Sequence, residues 1–409
     1  MENSSPAYSE TIDWLMQQLP MYQKKGQKAY KPGLERMYAL SQYLGAPEET
    51  FPSIHIAGTN GKGSTAHLMA AVLQSAGFRV GLYTSPHLVD FRERIKINGK
   101  LISKSFTVEW VEKHRKFLEV NGFSFFEMTV GLAFDYFAAT HVDIAVIEVG
   151  LGGRLDATNI IHPLLSVVTN IGMDHTHILG PTLPEIAREK AGIIKPEVPV
   201  VIGQTQPEIQ ALFREIALKQ QAPICFADQF PKYPWETDLG GPYQMYNLQT
   251  AAIALEQLPK DFQPTQSQID QGFRQVQPLT QFQGRWQFVK EHPRVIADVS
   301  HNKEGLALAI KGLEKQPYGI LHLVLGFVQE KNIAELLDLF PSNAQFYFCE
   351  PQIDRAFSVN NLRSMNHGER KCYYFNWVKE AYQFALESAD PEDLIYVGGS
   401  TFVVAEILE

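Results

Sequence analysis

The sequence has little cysteine and no excess of positive charge. Only three of its 409 residues are cysteine, at positions 225, 349 and 372, and none forms a CxxC pair. This spacing argues against a disulfide framework or a structural zinc site and favours a reducing compartment. Lysine and arginine number 36 against 45 aspartate and glutamate, so the formal net charge is −9. That balance argues against a nucleic-acid-binding protein.

Long apolar runs are also missing. No stretch approaches the ~18 uninterrupted apolar residues that a membrane helix needs, so we expect no membrane partner. The first twenty residues lack both the basic start and the apolar core of a signal peptide, and a cytoplasmic protein is expected. The composition that is present, 45% hydrophobic and 20% charged residues, is globular and too apolar for a disordered chain. A length of 409 residues predicts two or three domains.

Strand and helix patterns alternate along most of the chain. Residues 53–83 hold an apolar strand, a glycine-rich turn, a helix and a second apolar strand, which is a βαβ unit. The alternation continues to about residue 205 and returns after residue 285 with about five more strands. Nearly continuous apolar strands are typical of parallel sheets covered on both faces. We therefore predict an α/β protein with a doubly wound sheet in residues 1–280 and a smaller α/β domain in residues 284–409. The Gln/Pro-rich segment 262–283 is the predicted linker.

The segment GTNGKGST, residues 58–65, lies between the first strand and its helix. Glycines allow a tight turn whose N–H groups point at a phosphate, and the helix adds its positive N-terminal end. Lys62 can reach the β- and γ-phosphates, and Ser64 or Thr65 can add hydroxyl contacts. The match to GxxxxGK[ST] is imperfect, since Ile56 stands where the first glycine belongs. The alternative is a plain glycine turn, but the strand, helix and lysine together favour a phosphate-binding loop.

Polar residues follow three other apolar strands. Glu148 ends one of them, within VIEVGLGGRLDATN, Asp174 and His175 follow another, and Ser85 follows a third. The carboxyl ends of parallel strands are where α/β sheets bind ligands. Carboxylate and hydroxyl oxygens suit Mg²⁺, so Glu148 is a candidate metal ligand. The alternatives are a solvated strand end for Glu148 and a structural role for His175.

Two further candidates are weaker from their residue types alone. Lys190, in AREKAGIIK, would ordinarily be a surface lysine. Asp298 and His301 follow an apolar strand in the second domain and could bind a ligand, although a polar turn is the more common explanation.

Seven segments together resemble one family. In chain order, GTNGKGS, YTSPHL, EVGLGGRLDATN, TNIGMDHT, EKAGIIK, GRWQ and DVSHN resemble the folylpolyglutamate synthase/dihydrofolate synthase family of the Mur ligase superfamily. The resemblance extends from about residue 8 to the C-terminus. It implies a P-loop ATPase domain of the Mur ligase type, followed by a Rossmann-like domain on the glutamate side of the active site.

The resemblance also implies a reaction. ATP converts the carboxylate of dihydropteroate or a reduced folate into an acyl phosphate, and the amino group of L-glutamate attacks it. ADP and phosphate are released. The acceptor stays open between dihydropteroate, reduced folates and both, with a bifunctional enzyme preferred. The implied cofactors are ATP and Mg²⁺ at two sites, and the implied state is a monomer.

Individual roles follow from the same resemblance. The implied phosphate loop is Thr59, Asn60, Gly61, Lys62, Gly63, Ser64 and Thr65. The implied Mg²⁺ ligands are Ser85, Glu148 and His175. Further nucleotide contacts are Asn247, at adenine, Arg285, at the phosphates, and Asp298. The implied substrate contacts are Phe126, Asp156, Ala157 and Ser400, and the implied catalytic residues are Lys62, Lys190, His175 and His301.

For Lys190 the resemblance replaces the surface interpretation, since it matches a lysine that is carbamylated in many members. A carbamate turns a cation into an anion able to hold a second Mg²⁺.

The sequence departs from the family pattern at two places. DVSHNK stands where the family usually has DGAHNP, and Tyr243 stands where a histidine usually precedes glutamine. Three alternatives remain: a P-loop switch or kinase, a non-catalytic nucleotide-binding protein, and a Mur-type ligase for another acid. The presence of Lys62, Glu148 and His175 disfavours the second. Only about 50 residues precede the loop, which disfavours a ligase with an additional UDP-sugar domain.

Overall fold

The fold is described by a computed structural model, in residues 6–18, 33–232, 234–329 and 332–409. The chain divides into two compact units. The first comprises Met1–Asp238 and Met245–Gln281, and the second comprises Leu239–Gln244 and Phe282–Glu409. One holds an eight-stranded sheet and the other a six-stranded sheet, so the predicted α/β class is confirmed.

The first unit surrounds the larger sheet with helices. Its strands are β1 Ser53–Ala57, β2 Val80–Tyr83, β3 Ile95–Ile97, β4 Lys100–Leu101, β5 Ile144–Glu148, β6 Leu165–Val168, β7 Val200–Ile202 and β8 Ile224–Phe226. Its helices are α1 Pro6–Gln17, α2 Glu35–Leu44, α3 Lys62–Ser75, α4 Lys104–Asn121, α5 Phe125–Ala139, α6 Thr176–Leu179, α7 Leu183–Ala191, α8 Pro207–Lys219, α9 Gln244–Glu256, α10 Gln266–Phe273 and α11 Val276–Thr280. The strand order is β4-β3-β2-β5-β1-β6-β7-β8, with β3 and β4 antiparallel at one edge.

The centre of this sheet positions the candidate site. Strand β1 pairs in parallel with both β5 and β6, and Ile56 lies opposite Glu148. All residues of the three strands are buried, as their apolar sequences predict. Because the strands are parallel, the loops that follow them emerge at the same edge. The phosphate loop, Glu148 and the segment after β6 are thereby brought together.

The predicted linker is wrong, because residues 262–283 contain α10 and α11. Ile269, Phe273 and Val276 of this segment are buried, at helical spacing. Gly272 approaches helix α3 so closely that a β-carbon would lie 2.5 Å from the Val72 Cα atom. The prediction rested on composition, and the many glutamines made the segment look like a linker. The spacing of its few apolar residues is nevertheless helical.

The second unit is a smaller α/β layer structure. Its strands are β9 Gln287–Glu291, β10 Arg294–Ala297, β11 Leu321–Leu325, β12 Gln345–Cys349, β13 Lys371–Phe375 and β14 Leu394–Gly398. Its helices are α12 Lys303–Leu313, α13 Ile333–Leu337, α14 Val359–Ser364, α15 Val378–Ser388 and α16 Thr401–Leu408. The order is β13-β12-β11-β14-β10-β9, with β9 antiparallel to β10. About five strands were expected, and the sixth, β9, is largely exposed and therefore lacks the apolar pattern.

The observed units differ from the predicted division in one detail. Leu239–Gln244 belongs with the second unit although it lies within residues 1–280. The cause is Trp286, which is 4% exposed and packs against this segment. A β-carbon on Gly240 would lie 2.5 Å from its indole ring, and one on Gly312 would lie equally close to the ring's other edge. In the described part of the chain, no helix is long and apolar enough to cross a membrane.

Candidate active site

The phosphate loop is held in place by residues that follow β6. Gly58 has φ 150°, and a β-carbon there would collide with the Thr169 hydroxyl. That hydroxyl donates to the Asn60 carbonyl at 2.6 Å. The Thr59 and Asn60 N–H groups donate to the carbonyl and side-chain oxygens of Asn170, each at 2.9 Å. Because these two N–H groups bind within the protein, the first turn of α3 is the part of the loop that faces a phosphate.

Two lysines meet at one carbonyl of this loop. Lys62 Nζ donates to the carbonyl oxygens of Gly58 and Thr59 at 3.1 and 3.3 Å. Lys190 Nζ donates to the Gly58 carbonyl at 2.9 Å. Lys190 is only 5% exposed, so the surface alternative is wrong. Burial, reinforced by the Lys62 charge, lowers the pKa of Lys190 to about 7, although Asp174 opposes the shift. A substantial fraction of this amine is therefore neutral near pH 7.

Glu148 lies beside the loop with its carboxylate turned inward. It ends β5 and is 4% exposed. Its Oε2 atom accepts the Ser85 N–H at 3.0 Å, and a β-carbon on Gly63 would lie 3.5 Å from the same oxygen. Ser64 is buried as well, and the buried Thr65 hydroxyl has no hydrogen-bond partner among the described residues. A buried carboxylate in a loop region that also holds serine and threonine supplies the oxygen donors that Mg²⁺ prefers.

His175 immediately precedes helix α6, as its N-cap residue, with a left-handed φ of 51°. Its N–H donates to the Asp174 carboxylate at 2.9 Å, and its ring centroid lies 6.4 Å from that of His177. Among the described residues, no three His, Cys, Asp or Glu side chains are grouped closely enough to hold a metal. The structure brings Ser85 and Glu148 together, and His175 as a third ligand stays a prediction.

Phe126 packs over the loop that follows Glu148. It lies at the start of α5 and is half-buried. A β-carbon on Gly150 would collide with its ring, so the glycine is required for this close approach. The Tyr83 ring lies 6.2 Å away, centroid to centroid. An aromatic surface therefore adjoins the loop that follows Glu148.

Asp156 is buried and organises the same loop. Its carboxylate accepts the N–H groups of Leu151 at 2.8 Å and Thr158 at 3.0 Å, and it begins the 3₁₀ turn Ala157–Ile160. Burial raises its pKa, and these hydrogen bonds oppose the rise. Ala157 is 7% exposed. The geometry shows a capping role for Asp156 that sequence analysis missed, although Asp two residues before Thr is a recognisable capping pattern.

Asn247 reaches the loop from α9. It is 7% exposed, and its side-chain oxygen occupies the space that a β-carbon on Gly61 would need. Gly61 has φ 82°, a conformation that favours glycine in any case. The structure thus places Asn247 against the phosphate loop, as a nucleotide-contacting residue requires.

In the second unit, Asp298 is fully buried and engaged on both oxygens. It accepts the N–H groups of Trp286 and Ser300, each at 2.8 Å, and the hydroxyl of Tyr243. Burial and the Asp298 charge raise the pKa of Tyr243. Tyr243, which has no predicted role, therefore fixes the orientation of a predicted nucleotide contact. Only its position in place of the family histidine singled it out.

The other three candidates of this unit lie at its loops and a helix start. Arg285 is half-buried, and His301 Nδ1 lies 3.0 Å from the Val299 carbonyl oxygen. Ser400 is 2% exposed and accepts the Val403 N–H at 3.3 Å, which caps α16. Their ligand contacts stay predictions.

Comparison with known proteins assigns the family. Residues 56–229 match the Mur ligase middle domain, and residues 284–401 match the Mur ligase glutamate ligase domain. A dihydrofolate synthase/folylpolyglutamate synthase of Bacillus subtilis (strain 168) is 32% identical over 98% of this chain and 98% of its own length. The chain belongs to the dihydrofolate synthase/folylpolyglutamate synthase family of Mur ligases.

Other members of the family extend this assignment. Escherichia coli FolC in complex with DHPP and ADP is 29% identical, with a TM-score of 0.83, over 99% of this chain and 97% of its own. A bifunctional folylpolyglutamate synthase/dihydrofolate synthase with Mn, AMPPNP and L-glutamate bound is 28% identical, also with a TM-score of 0.83, over 99% and 98%. The chain spans 48% of a longer relative from Haloferax volcanii, a probable bifunctional folylpolyglutamate synthase/dihydropteroate synthase that is 32% identical over 92% of this chain. Known members thus bind a nucleotide together with a divalent metal.

Proposed function

We propose that this protein is an ATP-dependent ligase that joins L-glutamate to dihydropteroate and to reduced folates, releasing ADP and phosphate. The observation that carries the proposal is the juxtaposition of Lys62, Lys190, Glu148 and Ser85 at one phosphate loop. The similarity to a dihydrofolate synthase/folylpolyglutamate synthase over 98% of the chain supports the same substrates.

The loop suits the first half of this reaction. The substrate carboxylate attacks the γ-phosphorus of ATP, the bond to ADP breaks, and an acyl phosphate forms. Lys62 and the first turn of α3 would hold the phosphate oxygens as their charge shifts toward ADP. Glu148 and Ser85 would hold Mg²⁺, with His175 as the predicted third ligand. Bound Mg²⁺ supplies charge neutralisation at the phosphates.

The second half of the reaction consumes the acyl phosphate. The amino group of L-glutamate attacks the acyl carbon, and phosphate leaves with the electron pair of its bond. Binding both substrates in one orientation accounts for much of such a rate enhancement. A kinase or switch does not require a glutamate ligase domain, which residues 284–401 match. A ligase for another acid remains the competing proposal.

The first assay is glutamate-dependent ADP release with dihydropteroate or tetrahydrofolate as the acceptor. We expect turnover with both acceptors, each requiring ATP, Mg²⁺ and L-glutamate. Turnover with one alone restricts the enzyme to that step. A folded protein that binds ATP but uses neither acceptor contradicts the folate assignment and favours another acid.

We further propose that Lys190 carries a carbamate that holds a second Mg²⁺. Carbamate formation needs a neutral amine, and the pKa of about 7 makes Lys190 far more reactive toward CO₂ than an ordinary lysine. We expect Lys190→Ala to lose most activity, because the anion is removed. Acetate or formate, added to the assay, should restore part of it by taking the place of the carbamate.

Lys195→Ala is the matched control for this rescue. Lys195 lies five residues further on, is partly buried, and donates to the Asn159 carbonyl at 2.9 Å. Burial lowers its pKa as well. Short carboxylic acids should leave Lys195→Ala unchanged. A complete lack of rescue in Lys190→Ala, with its ATP binding preserved, would count against the carbamate.

A further inference from the structure

His55 is a fully buried histidine to which the sequence assigns no role. It lies in β1, three residues before Gly58, where the glycine-rich segment begins. Its Nε2 atom lies 2.9 Å from the hydroxyl oxygen of Thr158, in the loop between β5 and β6. Burial, reinforced by the Lys195 charge, lowers the pKa of His55 to about 3, so the ring is neutral. A neutral imidazole has one N–H donor and one bare nitrogen, which is an acceptor.

The hydrogen bonds of Thr158 decide which nitrogen of His55 carries the proton. The Thr158 hydroxyl donates to the Oδ1 atom of Asp156 at 2.5 Å. Because a hydroxyl has a single proton, it can only accept from His55, and the Nε2 atom of His55 is therefore the donor. The Nδ1 atom is then the bare acceptor, and it is the buried atom of this ring that lacks a hydrogen-bond partner among the described residues. Both observations indicate the same tautomer.

Asp156 is the last member of this hydrogen-bond chain, His55–Thr158–Asp156. Its Oδ1 atom also accepts the Thr158 N–H at 3.0 Å, and its Oδ2 atom accepts the Leu151 N–H at 2.8 Å. Both carboxyl oxygens therefore act as acceptors, which agrees with the direction of the Thr158 hydroxyl. All three members of the chain are buried. A buried polar group that loses its partner cannot bind water instead, so each bond depends on the next.

The hydrogen-bond chain joins the strand that leads into the phosphate loop to the loop that carries predicted substrate contacts. Asp156 and Ala157 are two of these predicted contacts. The same loop is also bound to helix α7, because the Arg154 N–H donates to the Glu189 carbonyl oxygen at 2.7 Å, one residue before Lys190. The loop is thus anchored at two places, on α7 and on β1. The anchor on β1 is the one that includes Asp156.

We propose that His55 is a positioning residue, which donates to Thr158 and thereby holds Asp156 in the orientation that binds the acid substrate. The inference rests on the proposed function, because it takes that substrate to be a pteroate or a folate. Loss of the donor leaves the Thr158 hydroxyl free to turn away from the carboxylate. Binding of the acid should then suffer more than binding of the nucleotide, since Thr169 and Asn170 hold the phosphate loop separately.

The test compares the KM for the acid with the KM for ATP. Thr158→Val removes the hydroxyl at little change in size, and we expect it to raise the KM for dihydropteroate or tetrahydrofolate by about tenfold, as for the loss of one hydrogen bond to a charged group. The KM for ATP should change less than about twofold, and kcat less than about threefold. His55→Leu should give the same result. His55→Gln, whose amide N–H can replace the Nε2 donor, should stay within about threefold of the wild type.

Thr280→Val is the matched control. Thr280 is also fully buried, its hydroxyl oxygen lies 2.7 Å from the Nδ1 atom of the buried His67, and it donates to the Val276 carbonyl at 2.6 Å. This second histidine–threonine pair joins α3 to α11 and includes none of the predicted substrate contacts. Thr280→Val should lower the melting temperature about as much as Thr158→Val but leave the KM for the acid at the wild-type value. An equal rise of that KM in both variants overturns the inference, because it indicates a general loss of stability.

A double variant tests whether His55 acts through Thr158. Combining His55→Leu with Thr158→Val should raise the KM for the acid no further than the stronger single change, because both break the same hydrogen-bond chain. Additive effects overturn the inference. If His55→Leu does not fold, Thr158→Val and its control decide the question.

Hydrogen exchange provides a measurement that does not depend on turnover. Exchange in residues 150–160 should become faster in Thr158→Val and stay unchanged in Thr280→Val. Unchanged exchange in Thr158→Val overturns the inference. A wild-type protein that turns over neither dihydropteroate nor tetrahydrofolate contradicts the proposed function itself, whereas normal wild-type turnover with an unchanged KM for the acid in Thr158→Val contradicts only the role of His55.

Discussion

Lys62→Ala is expected to reduce kcat for glutamate ligation by at least about a hundredfold to a thousandfold, in the range seen when a group that stabilises developing charge is removed. The Lys62 ammonium donates to the carbonyl oxygens of Gly58 and Thr59. Both lie at the start of the phosphate loop, so a small side-chain movement brings the charge to a bound nucleotide. Negative charge moves to the leaving ADP in the transition state, and Lys62 would stabilise it there.

The fold should survive this change. The Gly58 carbonyl keeps its hydrogen bond from Lys190 at 2.9 Å, and the loop remains pinned by Thr169 and Asn170. Circular dichroism and the melting temperature should therefore stay close to those of the wild type. Lys219→Ala is a suitable control, because Lys219 is exposed and forms an ion pair with Glu215 at 2.6 Å on the surface of α8. Near-normal turnover in Lys62→Ala would defeat the assignment of this loop.

The fold class could be predicted because its signals are local. Apolar strands, the glycine turn at residues 58–65 and the helix that begins at Lys62 each depend on neighbours in sequence. The segments that were misjudged depend on distant contacts. Residues 262–283 form helices because three apolar side chains are buried within the first unit, and Leu239–Gln244 joins the second unit because of Trp286.

The candidate site shows the same division. Glu148 and Ser85 could be placed at strand ends from sequence, and parallel pairing brings their loops together. The burial of Lys190 could not be predicted from the sequence, because its hydrogen-bond partner, the Gly58 carbonyl, is 132 residues away.

Glu148→Gln is the second change for which we expect a large effect. The substitution keeps the size of the side chain, and the amide oxygen can still accept the Ser85 N–H, now at 3.0 Å. What it removes is the negative charge of a carboxylate that is 4% exposed and adjoins Gly63 of the phosphate loop. Because that charge would hold Mg²⁺, we expect kcat to fall by about a hundredfold or more and the Mg²⁺ concentration for half-maximal rate to rise.

A Mg²⁺ titration of the rate distinguishes this role from a general loss of structure. Glu208→Gln is the control, since Glu208 is exposed in the first turn of α8, and its titration should match that of the wild type. Glu148→Asp keeps the charge but withdraws it by one methylene group, so its defect should lie between those of the wild type and Glu148→Gln. If Glu148→Gln keeps the wild-type dependence on Mg²⁺, the buried carboxylate serves only to hold Ser85, and the metal must bind through other residues.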